Sequence, residues 1–187
     1  MERFKYTQSW FIGSELDRNL SNFTDPSRIN NILEIGCYEG LSSVFLAETL
    51  LNSPQSTLTC VDPFLNVSDN DHKVWLSNNQ EDNFDYNISV CKNSDKITVH
   101  KVTSDKFFET NTKTYNFIYI DGCHIAEFIT RDMENSFKYL ENRGIMWMDD
   151  YLGDNGRIAI AMNAFLDKYN GQYDLIHKGY QLAIRKH

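Results

Sequence analysis

The sequence predicts an α/β fold of Rossmann-like type: a seven-stranded, mostly parallel sheet with helices on both faces and a C-terminal antiparallel strand pair. Three observations carry this. Short apolar runs alternate with amphipathic stretches at helical spacing, the signature of βα units. Aspartates stand just past the ends of the apolar runs, where a strand gives way to a loop. The 187 residues are enough for one compact core and too few for two ordinary ones.

Each element follows in order. Residues 7–22 place Trp10, Phe11, Leu16 and Leu20 at roughly helical spacing, and Asp25-Pro26 breaks the pattern. Residues 31–35 form the first strand; it ends in Gly36-Cys37-Tyr38-Glu39-Gly40, after which Ser42 caps a helix running to Leu50. Residues 57–61 form the second strand, stopped at Asp62-Pro63-Phe64 because proline removes a ladder donor. From Asn66 to Glu81 the chain is polar, with Trp75 and Leu76 as isolated anchors, and residues 66–83 read as an insert that could lie over the sheet edge as a lid. A helix over 84–90, a strand over 97–102 and a short helix around 106–108 follow. The most apolar strand, 117–120, ends at Asp121-Gly122. A helix over 125–140 leads through the turn Asn142-Arg143-Gly144 to a strand over 145–148, which ends at Asp149-Asp150. A helix over 156–169 and strands over 173–176 and 181–184 complete the chain. No repeat or low-complexity linker interrupts it, so residues 1–187 read as one domain, with 1–30 as an N-terminal helical segment.

Composition narrows the function. Lys and Arg number 18 against 26 Asp and Glu, a formal charge of −8, and no stretch concentrates basic residues, which disfavours nucleic acid as a partner. Cys37, Cys60, Cys91 and Cys123 form no Cys-x-x-Cys pair and read as free thiols of a reducing compartment. The N-terminus lacks an apolar leader region, and no apolar run approaches the ~20 residues of a membrane span. A cytoplasmic protein without a membrane partner is expected.

In a doubly wound sheet the strand ends share one edge, where ligands bind, so Asp62, Asp121, Asp149 and Asp150 should converge on one crevice. The first turn lacks the Gly-x-Gly-x-x-Gly dinucleotide fingerprint. Glu34 and Glu39 make it acidic, a better match to a cationic ligand than to a pyrophosphate. Asp62 lies about 20 residues beyond Gly40, the spacing at which a carboxylate meets a ribose diol in this topology.

These four segments, Ile32 to Ser42, Val61 to Phe64, Tyr119 to His124 and Met148 to Tyr151, resemble those of the class I S-adenosylmethionine-dependent methyltransferases. More narrowly, the set is similar to the metal-dependent sugar and catechol-type O-methyltransferases. The resemblance implies that Gly36 and Gly40 lie under the methionine part of the cofactor, with Cys37, Tyr38 and Ser42 in the same loop and Glu34 supporting it. It implies Asp62 on the ribose hydroxyls, Phe64 near the adenine, and Ser104 on the adenine side, although Val102 and Thr103 depart from the family's Gly-Asp before that serine. Asp121, which also borders the cofactor, Asp149 and Asp150 would hold a divalent metal, and His124 would act as general base beside Asp121. Physical chemistry runs parallel to this: converging carboxylates raise each other's pKa unless a cation compensates, and an all-oxygen set suits Mg²⁺. Such a cation lowers the pKa of a coordinated hydroxyl, and imidazole titrates in the right range to take its proton.

Several readings stay open on sequence alone. His124 equally fits a cap for the helix that begins at Ile125. The acceptor is expected to be a small hydroxylated molecule, a sugar or sugar nucleotide first and a catechol-like phenol second. A nicotinamide enzyme, or a cofactor-binding protein without turnover, is the alternative from another class. The aromatic segment around Trp10-Phe11 could pack on a second subunit as a homodimer.

Overall fold

A computed structural model describes residues 3–65 and 79–187. Five strands run parallel: β1 (Asn31–Ile35), β2 (Thr57–Val61), β3 (Ile97–His100), β4 (Tyr115–Ile120) and β5 (Leu140–Met148). Two more, β6 (Tyr173–Lys178) and β7 (Leu182–Lys186), close the sheet antiparallel, giving the order β3-β2-β1-β4-β5-β7-β6. The chain leaves β1 towards β2 on one side and returns to β4 on the other, so the order reverses between β1 and β4. A crevice therefore opens at their carboxyl ends.

Burial on both faces explains the near-continuous apolar strands. In β4, Ile118 and Ile120 face the cluster that includes Met133, Phe137, Met162 and Phe165, whereas Phe117 and Tyr119 face the one that includes Leu16, Leu46, Leu50 and Trp147. The helices supply the covering stripes. α5 (Ala126–Tyr139) turns Ile129, Met133, Ser136 and Phe137 inward, and α6 (Arg157–Lys168) packs beside it through Ile158, Met162 and Phe165. α2 (Leu41–Leu50) covers the opposite face, burying Val44, Leu46, Ala47 and Leu50 together with Ser42 and Ser43.

The structure moves several boundaries. The first helix is α1 (Glu15–Phe23), not residues 7–22. Ser14 Oγ accepts from the Asp17 backbone N–H, Asp17 Oδ2 accepts from Gly13 N–H, and Gly13 at φ 75 turns the preceding chain off the helical path. Trp10 consequently sits outside the helix, 60% exposed. Ser42 does not cap α2: Gly40, left-handed at φ 81, is the N-cap, and Ser42 lies in the first turn with its hydroxyl spent on Glu34. β3 stops at His100 because Thr103 caps α4 (Ser104–Thr110), its Oγ1 accepting from Lys106 N–H at 3.3 Å. The expected turn at Asn142-Arg143-Gly144 is a bulge inside β5, where Arg143 takes φ 65. α3 (Gln80–Val90) begins earlier than expected, while residues 66–78, with Trp75, Leu76 and most of the expected lid, lie outside the described residues. Among the described residues no helix is long and apolar enough to cross a membrane.

Candidate active site

Register brings the strand-end residues to one level. The ladder continues one step past each strand: Asp62 N–H bonds to His100 O at 3.2 Å, Asp121 N–H to Ile35 O at 2.8 Å and Asp149 N–H to Ile120 O at 2.9 Å. The expected convergence at the carboxyl edge is therefore produced by the sheet's own hydrogen bonds.

The glycine turn after β1 is tied to both neighbours. Asp62 Oδ2 accepts from Cys37 N–H at 2.7 Å and Tyr38 N–H at 3.0 Å, and its Oδ1 accepts from Phe64 N–H at 2.7 Å. Oδ1, with one donor against the two on Oδ2, keeps acceptor capacity beyond these bonds. Tyr38 and Phe64 both take positive φ, 48 and 50, and the Phe64 ring packs against Phe84 at 5.0 Å. Gly36 is glycine for a reason internal to the fold: a Cβ there would lie 2.0 Å from the Asp121 carbonyl oxygen. The turn and the acidic edge are thus in direct backbone contact.

The side chains of three cofactor-loop candidates point inward instead of towards the crevice. Glu34 has no exposure; Ser42 Oγ and Ser43 Oγ each donate to one of its oxygens, and the buried Cys60 thiol lies 3.5 Å away. Cys37 is buried beside Glu34 and Cys60. Glu39 is also buried, accepting from Thr7 N–H, Thr7 Oγ1 and Asn83 Nδ2, so the acidity that distinguishes this turn in sequence is consumed inside the protein. Among the described residues of this turn, Gly36 and Tyr38 keep partial exposure, as does Asp62 after the neighbouring strand.

Burial pushes the Glu34 carboxyl up to about 7 from 4.5. The folded protein holds a proton that the unfolded chain releases, so this group's stabilising contribution is complete below pH 4.5 and is lost as pH rises through about 7. Glu34→Gln keeps the shape and a carbonyl acceptor for one of the two serines. Between pH 5 and pH 8 the wild type should lose on the order of 2 kcal/mol more stability than this variant. Urea melts at the two pH values measure it, and parallel pH dependences would refute the assignment.

At the ends of β4 and β5, ligand atoms of Asp121, His124 and Asp150 lie within 4.8 Å of one another, at a small pocket that Asp132 and Met162 also line. His124 Nε2 meets Asp150 Oδ2 at 2.9 Å, and that contact raises the imidazole's pKa. His124 is not a helix cap: Ile125 is the N-cap of α5 and makes no side-chain cap bond. Asp150, at φ 58, also accepts from Tyr180 Oη at 2.6 Å. Burial, reinforced by Asp149 and Asp150, drives the Asp121 carboxyl well above the usual carboxylate range. Asp149 stands outside the three-residue group, its oxygens engaged by Tyr119 Oη, Gln181 Nε2 and Asp150 N–H.

Sequence reasoning did not single out Tyr119, Tyr180, Gln181 or Asp132. Asp132 had a signal: it sits within the apolar stripe Ile129, Met133, Ser136 and Phe137 of α5, and burial raises it to about 6. Its partner is Ser104, the expected adenine-side residue. His177, without an evident partner in sequence, meets Glu15 Oε2 at 2.8 Å.

A parallel sheet whose carboxyl edge gathers acidic side chains beside a glycine turn is the architecture of a Rossmann-like enzyme. Residues 33–151 match the family described as methyltransferase domain, and the chain belongs to that family. No curated protein matches the sequence. Many solved structures share the fold, among them the following three. Cofactor-bound Rv0187 from MTB is 12% identical with a TM-score of 0.69, over 98% of this chain and 83% of that one. The O-methyltransferase from Bacillus cereus in complex with SAH is 16% identical with a TM-score of 0.67, over 98% and 84%. The O-methyltransferase TomG from Streptomyces achromogenes, involved in tomaymycin synthesis and in complex with SAM, is 15% identical with a TM-score of 0.64, over 96% and 81%.

Proposed function

We propose that the protein transfers the methyl group of S-adenosylmethionine to a hydroxyl oxygen of a small molecule, with a divalent cation held at Asp121 and Asp150. The observation that carries this reading is the Asp121/His124/Asp150 group in backbone contact with the Gly36 turn. This juxtaposition supports a reading with a cationic donor beside an oxygen acceptor. Two O-methyltransferases among those that share the fold, one in complex with SAH and the other with SAM, support the choice of donor.

Asp62 would receive the ribose through the remaining lone pair of Oδ1, and Phe64 would flank the adenine. Glu34, Ser42 and Cys37 act behind the turn by holding its shape. Two carboxylates and an imidazole suit Mg²⁺ and Mn²⁺, the imidazole being a better ligand for the second. A cation bound there supplies a lower pKa for the acceptor hydroxyl and fixes its orientation.

Transfer forms the new C–O bond as the S–C bond breaks, with the acceptor proton leaving to a base. We assign that role to His124. Its Nε2–H directed at Asp150 Oδ2 leaves the lone pair on Nδ1, and Asp150 strengthens that nitrogen as a proton acceptor. A second reading has a specific observation behind it: His124 is itself one of the three clustered donors and could be a cation ligand. A sugar or sugar nucleotide is the first acceptor class to test, and a catechol-like phenol the second.

Calorimetric titration of S-adenosylhomocysteine, with Mg²⁺ and again after EDTA, tests the donor assignment. Micromolar binding, about −8 kcal/mol, is expected in both buffers. Methyl transfer to a panel of sugar nucleotides and catechols is expected only with the cation present. Absence of S-adenosylhomocysteine binding in both buffers would overturn the proposal.

A further inference from the structure

We infer that Gln181 is a positioning residue that locks Asp149 as a brace behind the acidic edge, leaving Asp121 and Asp150 as the carboxylates that face the cation; this rests on the cation reading above. Gln181 is 1% exposed at the entry to β7. Its Oε1 accepts from Leu16 N–H at 2.6 Å and from Trp147 Nε1–H at 2.9 Å. Both partners can only donate, so the amide has one orientation, with its oxygen towards α1 and its nitrogen towards the site. From there Nε2 donates to Asp149 Oδ2 at 2.7 Å. The Gln181 main-chain N–H donates to Glu15 Oε2 at 2.7 Å, which pins the residue to α1 a second time.

Asp149 Oδ2 is thereby saturated. Tyr119 Oη donates to the same Oδ2, and Asp150 N–H donates to Oδ1 at 2.7 Å. To turn Oδ2 towards a cation, Asp149 would have to give up Tyr119 Oη or Gln181 Nε2, both buried, and leaving such a donor unpaired is costly; Oδ1 is held on the Asp150 N–H, outside the clustered group. The Tyr119 hydroxyl also lies 3.2 Å from Asp121 Oδ2, so the brace reaches from α1 through Gln181, Asp149 and Tyr119 to Asp121. The positioning role explains why Asp149 falls outside the Asp121/His124/Asp150 group although it adjoins Asp150 in sequence.

The test is calorimetric titration of Mn²⁺ into the full chain with S-adenosylhomocysteine present, with circular dichroism melts to follow folding. Gln181→Glu keeps an acceptor for Leu16 and Trp147 but turns an oxygen, not a donor, towards Asp149. It should weaken Mn²⁺ binding about 10-fold or more. Asp149→Asn leaves one acceptor where there were two, so its NH2 faces either Gln181 Nε2 and Tyr119 Oη or the Asp150 N–H, and it should weaken binding similarly. The double variant Q181E/D149N restores a donor–acceptor pair with reversed polarity and the original net charge, and should recover binding to near the wild-type value. A double variant as weak as D149N would make Asp149 a ligand and overturn the inference, as would undiminished binding by Q181E. Wild-type protein that binds S-adenosylhomocysteine but no Mn²⁺ would overturn the cation reading itself and this inference with it, an outcome distinct from the other two.

Discussion

Gly36→Ala is expected to cost more than about 4 kcal/mol, enough to leave little folded protein. The added Cβ would lie 2.0 Å from Asp121 O, 2.5 Å from Asp121 C and 2.7 Å from Gly122 Cα. All three atoms are backbone, so no rotamer change relieves the contact, and β1 would have to part from the end of β4. The residue also takes φ +83, where any side chain is strained. Gly13→Ala is the matched control: its φ is +75, yet nothing lies within 4 Å of the new Cβ. That variant should lose only about 1 kcal/mol, the cost of the left-handed conformation. Urea denaturation of the two variants separates contact from strain, and equal midpoint shifts would refute the account. A folded remnant of Gly36→Ala should bind S-adenosylhomocysteine poorly, because the turn and Asp121 would no longer be in register.

Asp150→Asn is expected to lower methyl transfer roughly 10²- to 10³-fold while leaving S-adenosylhomocysteine affinity unchanged. Asparagine is chosen because Asp150 sits at φ 58, which asparagine tolerates and alanine does not. It also retains an oxygen for the Tyr180 hydroxyl, so the change removes charge more than structure. Mn²⁺ affinity should fall in parallel with turnover. His124→Ala, measured beside it, decides between the two roles of the imidazole. Lost turnover with intact Mn²⁺ binding identifies a base, and loss of both identifies a ligand. Full turnover in both variants would remove the acidic edge from the chemistry.

Much of the fold was legible in the sequence because its signals are local. The runs 31–35, 57–61 and 117–120 are apolar since β1, β2 and β4 are covered on both faces, and burial of that kind leaves a continuous pattern. The breaks at Pro63 and Gly36 act through the backbone of the residue itself. Where local signals competed, one was misread. Trp10 and Phe11 sit at helical spacing, yet the Ser14/Asp17 cap starts α1 after them. Ser42 has the composition of a cap, but a buried Glu34 on the adjacent strand claims its hydroxyl. Neither outcome can be read without knowing which strand lies beside which helix.

The candidate site divides along the same line. That aspartates end three strands is written in the sequence, and topology alone then requires Asp62, Asp121 and Asp149 to meet at one edge. Which way each carboxylate turns is not. Glu34 and Glu39 read as charges offered to a ligand and prove to be internal acceptors; Asp149 reads as a ligand and is held by Tyr119 and Gln181. The sequence by itself determined the family, the order of elements and the residues gathered at the crevice, because hydrophobic period and strand-end chemistry are properties of neighbours along the chain. Only the tertiary structure decided that Asp121, His124 and Asp150 form the open group, since that depends on donors such as Gln181, 32 positions from Asp149 and adjacent to it only across β5 and β7.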